Sequence, residues 1–110
     1  MIHLENLINE AVNSDRPTML MFYSKNDKSS REEMPVEGAA AGEMSGKAHF
    51  FQIDGDFDTM LRDKYNVKGY PTFVLFRDGQ EVWRNEGRLT FDEIRNMVNK
   101  FVCPPAGVAA

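Results

Sequence analysis

Four apolar residues in succession, Met19-Leu20-Met21-Phe22, sit inside the run Thr18–Tyr23, directly after the breaker cluster Asn13-Ser14-Asp15-Arg16-Pro17. A run this short, bounded by turn residues, reads as a strand rather than a helix. It lacks the polar alternation of a half-exposed strand, so both of its faces have to be covered. Such a strand belongs in the interior of a sheet. The rest of the chain must supply a layer for each side.

Helical periodicity supplies those layers. Leu4, Leu7, Ile8 and Ala11 predict an amphipathic helix over residues 5–13, following a short edge strand at Met1-Ile2-His3-Leu4. A second helix is predicted over residues 27–44, where Ser30 with Glu33, or Ser29 with Glu32, matches a capping box. Pro35 removes a backbone donor inside it and should kink it. Gly38 and Gly42 each weaken it by about 1 kcal/mol relative to alanine. Their spacing of four would also admit close packing on the sheet. Ala48-His49-Phe50-Phe51-Gln52-Ile53 reads as a strand, and Asp56 as the cap of a helix carrying Phe57, Met60 and Leu61. Residues 72–83, with Asp78-Gly79 at their centre, read as a hairpin whose Trp83 packs under a helix. Thr90 and Glu93 form a further capping box, and Phe91, Ile94, Met97, Val98 and Phe101 mark one face of the last helix. The order β-α-β-α-β-α-β-β-α gives an α/β fold, a mixed five-stranded sheet flanked by helices on both faces.

A chain of 110 residues makes one domain, expected over residues 1–103, with an irregular tail at 104–110. The net charge of −4, with no basic block, argues against nucleic acid or an anionic membrane as partner. No apolar run approaches the roughly 20 residues of a membrane span. The first residues show no basic segment followed by an apolar one, so the expected location is cytoplasmic. The one cysteine, Cys103, cannot form an internal disulfide. It reads as an incidental residue past the last helix. The sharper alternatives are an intermolecular bridge or a reactive thiol, with Lys100 as the only nearby cation in sequence. His3 and His49 stand outside any ligand cluster, and no glycine loop is placed to cradle phosphate, so neither metal nor cofactor is expected. Lys28 beside Ser29 and Ser30 has the residue types of a Ser-Lys nucleophile, but adjacency does not supply the geometry.

Several segments in order carry a resemblance. They are Ile2-His3-Leu4, Phe22-Tyr23-Ser24, Phe51-Gln52-Ile53-Asp54, the run from Tyr65 through Gly69-Tyr70-Pro71-Thr72, Phe76-Arg77-Asp78-Gly79, and Glu86-Gly87-Arg88-Leu89. Together they make residues 1–102 resemble the thioredoxin family. The resemblance implies a cis peptide bond before Pro71 and a backbone there that receives an extended segment of a partner. It also places the family's Trp-Cys-Gly-Pro-Cys-Lys on Asn26-Asp27-Lys28-Ser29-Ser30-Arg31, a register supported by Pro35. Asp27 and Ser30 then occupy the two cysteine positions. The family's buried aspartate falls on Met21 and its lysine partner on Phe50.

Disulfide exchange needs a thiolate. A carboxylate at residue 27 keeps a favourable interaction with the helix dipole but supplies no sulfur nucleophile. The leading expectation is therefore a redox-inactive thioredoxin-like protein that binds a protein or peptide. By resemblance its face joins Asn26, Asp27, Lys28, Ser29 and Ser30 to Ile53, Gly69, Tyr70, Pro71, Gly87 and Arg88. Tyr70 and Pro71 would offer backbone hydrogen bonds and an aromatic edge. The alternatives are a thiol-disulfide oxidoreductase in redox homeostasis, working through Cys103, and a purely structural subunit.

Overall fold

The computed structural model describes residues 3–102. The apolar run forms β1 (Thr18–Tyr23), in which Met19, Leu20, Met21 and Phe22 are fully buried. It pairs in parallel with β2 (His49–Asp54) and antiparallel with β3 (Thr72–Arg77). β4 (Gln80–Glu86) adds antiparallel to β3, and the sheet order is β2-β1-β3-β4. The β3–β4 turn is Asp78-Gly79, both at positive φ, a conformation that glycine adopts without a Cβ penalty and aspartate tolerates. Its tip is sewn to the first helix: the Gly79 N–H donates to the Val12 carbonyl at 2.7 Å.

Alternate residues of β1 face two separate cores, as the pleat requires. Leu20 and Phe22 join Ile8, Ile53, Leu61 and Tyr65 beneath α1 (Leu4–Val12) and α3 (Thr59–Lys64). Met19 and Met21 join Ala40, Met44, Ile94 and Val98 beneath α2 (Lys28–Met44) and α4 (Phe91–Asn99). Phe50 and Trp83 are half-buried against this second cluster.

The sheet has four strands among the described residues, not five. His3 is extended (φ −91°, ψ 139°) but serves as the N-cap residue of α1, which begins at Leu4. One described residue cannot build a ladder, and the remainder of the expected edge strand, Met1 and Ile2, lies outside the described residues. So do Cys103 and the tail at 104–110.

Three local expectations are also corrected. The serine capping box expected for α2 does not form; the cap is Asp27, the other capping residue the sequence offers, and its Oδ2 accepts the Ser30 N–H at 2.8 Å. Glu33 is thereby freed from capping and points inward. Gly38 and Gly42 are exposed, with nothing within 4 Å of an added Cβ, so they mediate no close packing on the sheet. The cap of α3 is Asp58, which accepts the Leu61 N–H at 3.1 Å. Starting the helix two residues later than Asp56 would allow turns Phe57 and Met60 out to solvent. The expected capping box on α4 is present, with Thr90 and Glu93 bonding each other's backbone N–H.

Candidate functional site

β1 and β2 both end at the edge of the sheet where α2 begins, and three loops meet there. The β1–α2 turn is held by its own side chains. The Ser24 N–H donates to Ser30 Oγ at 3.1 Å, the Asn26 N–H to Ser24 Oγ at 3.2 Å, and the Asp27 N–H to the Ser24 carbonyl at 3.1 Å. The Ser24 hydroxyl donates to Asp56 Oδ2 and so ties this turn to the β2–α3 loop. The Asp54 carboxylate in turn accepts the Asp56 and Phe57 N–H groups at 3.0 and 3.2 Å.

The two positions that the resemblance assigns to thiols, Asp27 and Ser30, carry side-chain oxygens, and both accept hydrogen bonds. The Asp27 carboxylate is spent on the helix terminus, where it satisfies one of the unpaired N–H groups. Ser30 is fully buried and accepts from Ser24. Neither position has a free nucleophile. Asn26 and Lys28 are the exposed members of residues 26–30, Lys28 lying 3.8 Å from Glu32 one turn on.

The second loop carries Gly69, Tyr70 and Pro71, and the Tyr70-Pro71 bond is cis. Pro71 is buried, and its carbonyl accepts the Gly87 N–H at 2.8 Å. Thr72 Oγ1 donates to the Gly69 carbonyl at 2.6 Å. Among the described residues nothing bonds the backbone N–H or C=O of Tyr70. Its ring is less available. It lies over Gly55, where any side chain would collide with it, and packs against the first core cluster. Its hydroxyl is buried without a hydrogen bond of good geometry, with Arg62 as the charged group beside it. The aromatic edge expected at the surface is largely spent on the fold.

Of two further expected contact residues, one is buried and the other is hydrogen-bonded to α2. Ile53 is 1% exposed, in the first core cluster, and offers a partner no surface. The Arg88 side chain is exposed but tied to α2: Nε donates to Glu33 Oε1 at 2.9 Å, and a guanidinium nitrogen lies 3.4 Å from Glu32. The hydrogen bond to Glu33, supported by the charges of Glu33 and Glu32, raises its pKa. Gly87, at φ 101°, turns the chain so that its N–H reaches the Pro71 carbonyl.

Sequence reasoning missed two carboxylates behind this face. Glu33 is fully buried, and its Oε2 also accepts the Leu89 N–H at 3.0 Å. Glu37, one turn on, accepts from Gln52 Nε2 at 3.1 Å, while the same nitrogen donates to the Met34 carbonyl at 2.9 Å. Glu37 Oε2 is buried without a partner. Burial pushes the Glu37 carboxyl from its ordinary 4.5 up to about 7; the Gln52 hydrogen bond opposes the shift and Glu33 adds to it. The signal was available: buried Ser30, Glu33, Glu37, Ala40 and Met44 follow helical spacing and define the inward face of α2.

Among the described residues no group of three His, Cys, Asp or Glu side chains is placed to hold a metal ion, and no helix is long and apolar enough to cross a membrane. A cleft of about 630 Å³ lies between the end of α3 and β4, lined by Lys64, Lys68, Arg84 and Glu86 among others. Arg84 there is committed to Glu81 and to the Tyr65 carbonyl.

The comparisons with known proteins agree with the fold. The chain is 32% identical to Fasciola hepatica thioredoxin, whose X-ray structure superposes with a TM-score of 0.78 over 89% of this chain and 90% of that one. It is 29% identical over 76% of its length to chloroplastic thioredoxin Y1 of Arabidopsis thaliana. It is 35% identical over 83% of its length to protein disulfide isomerase-like 1-4 of Oryza sativa. It spans only 48% of the former relative and 16% of the latter. The thioredoxin family profile matches residues 2–100, and the chain belongs to that family.

Proposed function

We propose that this chain is a redox-inactive thioredoxin-like protein that binds an extended segment of a protein partner beside Pro71. The observation that carries the reading is the Tyr70 backbone, a donor and an acceptor with no partner among the described residues, next to Pro71, whose carbonyl the Gly87 N–H holds. Such a pair can take an added strand. The same face lacks a nucleophile, because Asp27 and Ser30 hold the two reactive positions with oxygens already hydrogen-bonded. Ile53 supports the face from behind; Asn26, Lys28, Gly69 and Tyr70 would meet the partner, with Arg88 exposed beside them.

The test of redox inactivity is reduction of insulin by dithiothreitol. The protein is expected to leave the rate unchanged. The alternative, favoured by the names of the relatives above, is a thiol-disulfide oxidoreductase using Cys103. An acceleration abolished by Cys103→Ala would establish that alternative and overturn the proposal.

A further inference from the structure

Phe57 and Met60 are 88% and 78% exposed, the two most exposed large apolar side chains among the described residues. They are three residues apart, Phe57 on the loop that Ser24–Asp56 ties to the β1–α2 turn and Met60 in the first turn of α3. Gly55, in the same loop, is in contact with the Tyr70 ring. The loop that carries Phe57 therefore adjoins Tyr70. Beside Met60 a cleft of about 410 Å³ opens between α1 and α3, lined by Leu4 and Leu61 together with Glu5 and Asp58.

The charges around this patch are unequal. Asp54 is matched by Lys25 at 3.9 Å, Glu5 by Lys64 at 3.0 Å and Asp63 by Arg62 at 3.3 Å. Among the described residues Asp56 and Asp58 meet no cation. Each accepts one hydrogen bond from within the protein and keeps a second carboxylate oxygen. An aromatic face, a methionine and two uncompensated carboxylates suit a side chain with an apolar stem and a cationic head.

We propose that Phe57 and Met60 extend the binding face and that the partner segment it fits carries alternating apolar and basic side chains. The inference rests on the strand-addition reading only for where that segment enters; its own evidence is the patch and its charge. Lysine or arginine stems would lie on Phe57 and Met60, with their heads toward Asp56 and Asp58. The opposite partner, apolar and acidic, would meet like charge.

The test is a titration of isotope-labelled protein, at low salt, with two synthetic twelve-residue peptides. In one leucine alternates with lysine, in the other with glutamate. The lysine peptide is expected to shift the amides of residues 54–60 and of Tyr70, and the glutamate peptide to shift neither. The double variant Phe57→Ser, Met60→Ser alters exposed side chains only and should melt like the parent. It is expected to weaken the lysine peptide by about tenfold. Shifts at residues 54–60 without Tyr70 would keep this inference and remove the strand-addition reading. Shifts at Tyr70 with unchanged affinity in the double variant would do the reverse. Equal binding of the glutamate peptide, or no binding of the lysine peptide, would overturn the inference.

Discussion

At residue 27 a carboxylate does for the backbone what a thiol cannot do as well. It accepts the Ser30 N–H at a helix terminus whose partial charge is positive. Asp27→Ala is expected to cost about 0.5–2 kcal/mol in urea denaturation, and Asp27→Asn, which keeps an acceptor, much less. Ten residues on, Glu37 works in the other direction. Its folded pKa, about 7, lies above the ordinary 4.5, so its ionised form is disfavoured in the fold. Its contribution to stability is fully present below pH 4.5 and is lost as pH rises through 7. The loss at higher pH is on the order of 3 kcal/mol, from a shift of about 2.5 units. Denaturation midpoints should fall between pH 5 and 8, and Glu37→Gln should flatten that slope. A slope unchanged in the variant would place the titration elsewhere.

At the scale of elements, α2 is the beam from which the site hangs. Its first turn is capped by Asp27, and its inward face sends Glu33 to Arg88 and Leu89, the segment whose Gly87 holds the Pro71 carbonyl. The Glu33–Arg88 pair is unequal: the Glu33 side chain is 0% exposed and the Arg88 side chain 44%. Removing the arginine strands a buried carboxylate, whereas Glu33→Gln leaves the arginine in water and an amide oxygen for Leu89. Arg88→Ala should therefore cost more than Glu33→Gln. A chemical denaturation series in which the order is reversed would show that the pair does not anchor the loop. This polar inner face is also why α2 was the least legible element. Glu33 looked like the third residue of a serine-capped helix, since Ser30 and Asp27 are both good caps and local sequence does not choose between them. The backbone chose, through the Asp27 N–H bond to the Ser24 carbonyl. In α3, shortness hid the outcome: six residues are too few for a period to reveal which side faces the core.

For the whole molecule, the four central strands were legible, the expected edge strand at residues 1–4 was not, and the site was legible only in part. β1, the Asp78-Gly79 hairpin and the Thr90–Glu93 box are set by neighbours in sequence, and each formed where those neighbours indicated. The contact face depends on which side chains are consumed internally, and that is decided by residues more than fifty positions apart, as with Glu33 and Arg88. Ile53 looked available because its position follows the family pattern; burial removed it. The central place of β1 also has a consequence for how the chain is made. Its parallel partner β2 is complete by residue 54, but its antiparallel partner begins at residue 72. A nascent chain that has emerged only through β2 holds Met19, Leu20, Met21 and Phe22 in a strand with one side of its ladder still open. Non-local pairing of this kind forms late. During synthesis, the interval between residues 54 and 72 is when the growing domain exposes its stickiest edge.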